Sequence, residues 1–572
     1  MEPPSLKVAR AVVSALISSG ATEFAYCPGS RNAPFAYVLA AEEAAGRVNV
    51  HTFAEERGAG YWALGAAQAL GGRVPVAVIT TSGTAVAELH PALEEARHQG
   101  LPVIAVTADR PFDMVGVGAS QATHQADMFS STVCIGVDIP QGSDATGIRN
   151  RVWRALARGL GLGGRSGPVH VNVALADPLV PADFAAFAAA VTEERIEGKE
   201  RENPALYALG RSAAGTQIPH WEDVVQPGLS TIVVAGSVDP GDLAAARELT
   251  KQAGEHKIPV ISEPTSGLCD CETWIPHSPW VVEMCGAQVE QIVVLGKPTL
   301  SRQVMRLLQR PDVRVVALAN HHEWTDLQGN AEVVVPLVVR GLAESASIAA
   351  ADRSEGDDDA QRWLATWRDA ATRVDRVLDQ HSRDEKLDHV TTAEEIWGQA
   401  EGTDLWLGAS NAVRAFDIAA RAPGRASVFA NRGLAGIDGS IASALGVQAM
   451  RHRPMRVVVG DLTFCYDLPT LAARPDYDPD IQVIVLDDRG GSIFASLEHG
   501  SAPEELYEKY FAVAQRIDIP AAARACGWEA VTVATVGELR GALAVPIVGR
   551  SVIHVPLERP TEVFAALRGR AI

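Results

Sequence analysis

The chain has 572 residues, 47% of them hydrophobic and 21% charged, with a formal net charge of −20 at pH 7. That length exceeds one ordinary core and predicts about two to four domains of a soluble globular protein, and the acidic balance excludes a general nucleic-acid or membrane-surface binder. Seven scattered cysteines fit a reducing, cytoplasmic compartment rather than a disulfide framework, and no apolar run reaches the roughly 18 residues needed to span a membrane.

The N-terminal stretch reads as a helix after two prolines, with its pattern over 6–19. Its apolar stretch is too short and too broken by charge for a signal peptide. A short strand at 23–26 ends in Cys27-Pro28-Gly29-Ser30-Arg31. A strand at 74–80 runs into Thr81-Ser82-Gly83-Thr84 and a new helix, one at 101–107 into Ala108-Asp109-Arg110-Pro111, and another spans 169–173. This alternation predicts a parallel sheet covered by helices. Residues 183–228 read as an irregular connection. A second α/β unit follows, with strands at 230–235, 259–262, 291–295 and 313–319. Its Cys269-x-Cys271 pair lacks a second pair or a histidine cluster and reads as structural rather than metal-binding. The acidic run 350–361 reads as a solvated linker, followed by one long helical stretch over 358–389. The third unit carries strands at 405–407, 427–430, 457–459, 482–486 and 551–554. The first and third units share a style of loop at their strand ends. The expected architecture is three α/β domains at 1–185, 205–350 and 390–572, each a mainly parallel sheet flanked by helices.

Two strands of the third unit end in acid. Val457-Val458-Val459 stops at Gly460-Asp461, and the strand ending at Leu486 stops at Asp487-Asp488, ahead of Gly490-Gly491. Asp461 and Asp488 are 27 residues apart, room for one helical crossover, so the strands can be neighbours. Ligands of open parallel sheets bind beyond the carboxyl ends of strands. Two carboxylates there repel unless a cation lies between them. Hard oxygen donors with open positions suit Mg²⁺, which also holds substrate phosphates. The competing reading is that each aspartate caps a helix. In Phe53-Ala54-Glu55-Glu56-Arg57, Glu56 opens an apolar helix. A glutamate there either complements the helix dipole or holds a carboxyl ready for proton traffic.

Gly460-Asp461 followed by "LDDRGG" resembles the magnesium–diphosphate motif of thiamine diphosphate enzymes, and "EER" resembles the site of their pyrimidine-facing glutamate. More narrowly, "PGSRNAP" (28–34), "TSGTAVAELHPALEEA" (81–96), "TADRP" (107–111), "GASQATHQ" (118–125), "GASNAVR" (408–414), "NRGLAGIDGSIASALG" (431–446) and "GDLTFCYDLPTL" (460–471) resemble the MenD family. The resemblance runs from near residue 8 to near residue 500 and is weakest in the middle third. It implies a thiamine diphosphate-binding fold. It also implies decarboxylation of 2-oxoglutarate and addition of the succinyl carbanion equivalent to isochorismate, giving 2-succinyl-5-enolpyruvyl-6-hydroxy-3-cyclohexene-1-carboxylate for menaquinone. The implied cofactors are thiamine diphosphate and Mg²⁺ or Mn²⁺. The implied assembly is a homodimer or homotetramer with active sites between subunits.

Carried over residue by residue, Glu56 matches the carboxylate at the pyrimidine N1′. Asp461, Asp488 and the carbonyl of Gly490 match the metal ligands, with Gly460 beside them. Ile437 matches the apolar wedge under the cofactor. Ser30, Arg31, Arg110, Ser410, Arg414 and Arg432 lie in matching strings, and arginine suits dianionic substrates because its planar fork binds carboxylates bidentately. Gln121 is expected near the reacting carbonyl. Ile493, Phe494 and Leu497 are expected to form an apolar wall, and Arg302 matches a basic residue reaching from the middle domain. There are departures: Asp488 replaces the usual asparagine, Ser120 stands where asparagine is commoner, Arg489 occupies a usually small polar position, and "YFAVAQRIDI" (510–519) differs from the usual segment. Two other readings stay open at this point: a thiamine diphosphate decarboxylase or acetohydroxyacid synthase acting on another 2-oxoacid, and a catalytically silent relative that keeps the fold.

Overall fold

The computed structural model describes residues 2–196, 224–320, 324–326, 328–335, 337, 354–421, 426–473 and 477–572. They group into two compact units. The first comprises Met1–Thr216, Asn431–His452 and Asp467–Pro479; the second comprises Gln217–Ala430, Arg453–Tyr466 and Asp480–Ile572.

The first unit is built on six parallel strands: β1 (Glu23–Tyr26), β2 (Asn49–Thr52), β3 (Val76–Thr80), β4 (Val103–Asp109), β5 (Ile135–Ile139) and β6 (Val169–Ala174). Their order is β2-β1-β3-β4-β6-β5. The central strands β1, β3 and β4 are buried along their whole length, as expected of apolar runs covered on both faces by helices. The opening helix is Pro4–Ile17, with proline in its first turn, and it buries Leu6, Ala9, Val13 and Leu16 at helical spacing.

Helix Glu56–Ala69 packs against helix Ser440–Arg451 in this unit. Glycine permits the approach: a Cβ on Gly65 would lie 1.9 Å from the Ser443 carbonyl oxygen, and one on Gly446 would lie 2.1 Å from that of Trp62. Backbone cannot yield as a side-chain tip does, so Gly65→Ala must push the helices apart. We expect it to cost about 3 kcal/mol, read as a lowered urea midpoint. Gly541→Ala is the control. It lies within helix Val536–Ala544 with nothing within 4 Å of its Cβ direction, and should gain about 0.5–1 kcal/mol.

The second unit carries two further six-stranded parallel sheets. One contains β7 (Thr231–Ala235), β8 (Val260–Ser262), β9 (Trp274–Ile275), β10 (Gln291–Leu295), β11 (Arg314–Leu318) and β12 (Ala331–Val335), ordered β12-β11-β10-β7-β8-β9. The other contains β13 (Asp404–Leu407), β14 (Val428–Phe429), β15 (Met455–Gly460), β16 (Ile481–Asp487), β17 (Glu529–Thr532) and β18 (Arg550–Pro556), ordered β14-β13-β15-β16-β18-β17. The first and third sheets therefore share one strand order. In each, the chain reverses its direction of travel across the sheet beside the first strand, which opens a crevice between first and third strands at their carboxyl ends. The corresponding crevice of the second sheet, between β7 and β10, is closed. Ser237 and Lys297 pair across it, and a Cβ on Gly236 would meet the Lys297 carbonyl at about 2 Å.

Three expectations need correction. The acidic run 350–361 is not a solvated loop throughout: from Ser354 it belongs to helix Ser354–Ser382, while 350–353 lie outside the described residues. That helix buries Trp367, Val374 and Leu378 in a core shared with the second and third sheets, so tertiary packing overrides its acidic start. The helix predicted over 358–389 also breaks after Ser382. Asp388 accepts the N–H groups of Val390 and Thr391 while Thr391 Oγ1 accepts the Asp388 N–H, a capping box that starts a new helix, His389–Gly398. Part of the irregular connection at 183–228 is likewise helical, at Phe184–Ile196, and 197–223 lie outside the described residues.

Candidate active site

In the first unit, Glu56 is the first residue of helix Glu56–Ala69, and its neighbour Glu55 caps that helix by accepting the Gly58 N–H at 2.7 Å. The capping role therefore falls to Glu55 and leaves Glu56 without it. Burial raises the Glu56 carboxyl above the ordinary glutamate range, against the opposing pull of a backbone N–H, with Glu55 and Glu88 adding repulsion. A thiol lies close by: burial and the negative fields of Glu56 and Glu55 push Cys27 far up, so it stays protonated.

Arg31 and Arg110 stand at the ends of β1 and β4, close enough for Arg110 to act on Arg31. Burial and then Arg110 lower the Arg31 pKa, against the opposing pull of Asp177, 3.8 Å away, and Asp109. Arg31 is 9% exposed, donates to the Leu175 carbonyl at 2.8 Å, and keeps Nε buried with no hydrogen-bond partner. Arg110 holds the carbonyl of Ser120 through Nε and a terminal nitrogen at 3.0 and 2.8 Å. The contact uses the backbone, so the departure at Ser120 does not disturb it. It also fixes Gln121, which is exposed and has a φ of 53° beside Gly83. Below this loop, Gln125 donates to the Asn172 side chain at 2.9 Å and to the Ala108 carbonyl at 3.0 Å, and Asn172 donates to Asp109 at 2.9 Å. Ser30 is exposed at the tip of its loop.

The segment carrying Arg432 and Ile437 also belongs to the first unit. Glu95 accepts the N–H groups of Gly433 and Leu434 at 2.6 and 2.7 Å. Asp467, fully buried, accepts those of Gly439 and Ile441 at 2.7 Å each, and burial pushes its carboxyl up to about 7. Tyr61 donates to Asp438 at 2.6 Å. Three side chains thus pin a glycine-rich loop that leaves Ile437 half-buried and Arg432 buried.

In the second unit, the carboxyl ends of β15 and β16 bring Asp461 and Asp488 together. The strands are direct neighbours, and each aspartate is 5% exposed. Asp461 accepts the Gly490 N–H at 2.8 Å. Burial, then repulsion from Asp488 and Asp487, pushes its carboxyl up to about 6. Gly490 has a φ of 104°, and a Cβ there would lie 2.1 Å from the Ala512 carbonyl oxygen, so only glycine fits. Asp487 turns away and pairs with His554 at 3.0 Å, which holds its carboxyl below the usual range. Arg489 occupies the left-handed region at φ 63°, a strained position for so large a side chain. Among the described residues no group of three or more His, Cys, Asp and Glu side chains is arranged to hold a metal ion. Two buried, mutually repelling carboxylates beside a glycine turn nevertheless form a donor set that suits a hard divalent cation.

Ser410, at φ 69°, precedes helix Asn411–Ala419 at the end of β13, and Arg414 donates back to its carbonyl at 2.8 Å. Asn411 donates to Ser492 at 2.7 Å, joining this loop to the one after β16. Ile493 and Leu497 are half-buried, and Phe494 is 37% exposed beside Phe511 at 5.9 Å. Arg302 is exposed at the start of helix Arg302–Leu308, and no described hydrogen bond or ion pair joins it to another expected site residue. Sequence reasoning missed His389, whose Nε2 lies 2.9 Å from Asp488 Oδ2. The two are 99 residues apart and nothing local to either signals the pairing. Ser492, four residues after Asp488, was legible only as loop.

Two family models match: the thiamine pyrophosphate enzyme N-terminal TPP binding domain over residues 6–129, and the C-terminal TPP binding domain over residues 410–555. The chain is similar over nearly its whole length to proteins named 2-succinyl-5-enolpyruvyl-6-hydroxy-3-cyclohexene-1-carboxylate synthase. That of Renibacterium salmoninarum is 36% identical over 99% of this chain and 96% of its own. That of Kineococcus radiotolerans is 37% identical over 97% and 96%, and that of Rhodococcus erythropolis is 34% identical over 99% of both. Identity at this level over nearly the whole of each chain, together with the two matching domain models, makes this chain a member of the thiamine diphosphate-dependent 2-succinyl-5-enolpyruvyl-6-hydroxy-3-cyclohexene-1-carboxylate synthase family.

Proposed function

We propose that the protein decarboxylates 2-oxoglutarate and adds the succinyl unit to isochorismate, forming 2-succinyl-5-enolpyruvyl-6-hydroxy-3-cyclohexene-1-carboxylate in menaquinone biosynthesis. Full-length membership of the family carries this reading. Thiamine diphosphate, when bound, supplies the nucleophilic carbon. Glu56 would share a proton with the pyrimidine N1′, and its half-buried, raised carboxyl suits that task. Asp461, Asp488 and the Gly490 carbonyl would hold Mg²⁺ or Mn²⁺, with Gly460 and Ser410 against the cofactor and Ile437 as its apolar support. Arg31 and Arg110, a pair of neighbouring cations on an acidic protein, would bind substrate carboxylates with Ser30, Gln121, Arg414 and Arg432. Ile493, Phe494 and Leu497 would keep water from the reacting carbon. Arg302 enters on family likeness alone. The working form would be a cytoplasmic homodimer or homotetramer with sites formed between subunits; among the described residues no helix is long and apolar enough to cross a membrane.

Consumption of 2-oxoglutarate by the purified protein tests the reading. Turnover should require Mg²⁺, thiamine diphosphate and isochorismate together, with the succinyl adduct seen by mass. Turnover of pyruvate in place of 2-oxoglutarate would overturn it.

A further inference from the structure

Asp488 brings a second full negative charge to a site where Asp461 is already buried, and the surrounding residues meet that charge in a specific way. Its Oδ2 accepts a hydrogen bond from Ser492 Oγ and faces His389 Nε2 at 2.9 Å. Its Oδ1 has no hydrogen-bond partner among the described residues. The His389 side chain is 1% exposed. Its Nδ1 is buried with no partner, so a proton there would be an unsatisfied buried donor. Nε2 is therefore the ring nitrogen that serves the carboxylate.

The support continues outward. Asn411 donates to Ser492 Oγ at 2.7 Å, which leaves the serine hydroxyl hydrogen for Asp488. His389 is the first residue of helix His389–Gly398, and the Asp388 capping box fixes where that helix begins. Asp388 is itself held by His381 Nε2 at 2.7 Å. Each group that touches Asp488 Oδ2 is thus oriented by a further hydrogen bond or a helix start.

We propose that His389, with Ser492, is a positioning residue for the metal site: the two occupy Oδ2 and so reserve Oδ1 of Asp488 for the cation. The proposal rests on the metal-binding role given to Asp488 above. It explains how the buried site accommodates an aspartate here. One buried oxygen is matched by Ser492 and His389, and the other would be left to face the cation. Partners that orient a ligand in this way change metal affinity by about 10–100-fold when removed.

The test is direct Mn²⁺ binding to the full chain with thiamine diphosphate, followed by the electron paramagnetic resonance signal of free Mn²⁺. His389→Phe, which removes the donor, should weaken binding about 10–100-fold. His389→Gln, whose amide nitrogen can take the place of Nε2, should restore it to within a few-fold of wild type. Ser492→Ala deletes the other donor to the same oxygen and should weaken binding several-fold, which keeps the idea testable if the phenylalanine variant folds poorly. Wild-type affinity in the folded phenylalanine variant, or equal losses in the phenylalanine and glutamine variants, would overturn the positioning role while leaving the metal site standing. Wild-type affinity in Asp488→Ala would overturn the metal role of Asp488, and the positioning role with it.

Discussion

Glu56→Gln should bind thiamine diphosphate almost as wild type and lose turnover by a factor on the order of 10²–10⁴, the usual contribution of one positioned proton-transfer group. The helix should not suffer, because its cap is Glu55, which accepts the Gly58 N–H, and glutamine is as good a helix former as glutamate. Replacing Glu56 also relieves a half-buried carboxyl that Glu55 and Glu88 repel, so thermal stability should hold or rise slightly. Loss of rate with retained binding and stability is the signature of a proton-transfer group rather than a structural one. The measurement is a parallel pair: cofactor affinity by calorimetry and turnover with both substrates. A variant turning over near the wild-type rate would show that Glu56 does not carry the proton. A variant that binds no cofactor would show that its role lies in binding instead. Glu55→Gln is the contrast, since it touches the cap and should lower stability more than rate.

The strand cores were legible in the sequence because they are buried on both faces. β3, β4, β10 and β15 are apolar along nearly their whole length, and each was found within two residues of its observed limits. The strands that sequence reading passed over are β2, β5, β9, β12 and β17. All five are sheet edges. Edge strands pair on one side only and are half-exposed, as the alternating burial of β5 and β12 shows, so they carry no continuous apolar signal. The same logic divides the site. Asp461, Asp488 and Gly490 follow apolar strands and could be read as strand-end loops. The proximity of Arg31 to Arg110 depends on β1 and β4 flanking β3, an order that no local pattern announces. His389 was hidden further, being an ordinary first residue of a helix until the fold lays it against Asp488. Strained backbone gave a partial mark after the fact. Gln121, Ser410, Ala435 and Arg489 all have positive φ without being glycine, and all lie in loops that the family strings had singled out. Such strain persists where the surroundings over-determine a conformation.

Asp461→Asn separates the cost of this site from its use. In the protein without ligands, Asp461 is a buried carboxylate crowded by Asp488 and Asp487. Asparagine keeps an oxygen for the Gly490 N–H while removing one charge from the cluster. The ligand-free variant should therefore melt no lower than wild type. The ligated protein should behave in the opposite sense. A ligand held at 100 times its Kd stabilises the native state by about 2.7 kcal/mol, so Mg²⁺ with thiamine diphosphate should raise the wild-type Tm by several degrees. Chelating the metal should remove most of that rise. In Asp461→Asn the rise should be largely absent even with metal present, because one of the two charges that draw the cation into a buried site is gone. A substitution that costs nothing in the empty protein and nearly everything in the ligated one marks a residue kept for its ligand. If the variant instead melted lower when empty and kept its metal-dependent rise, Asp461 would be a structural acceptor for the Gly490 turn. The cation would then depend on other donors.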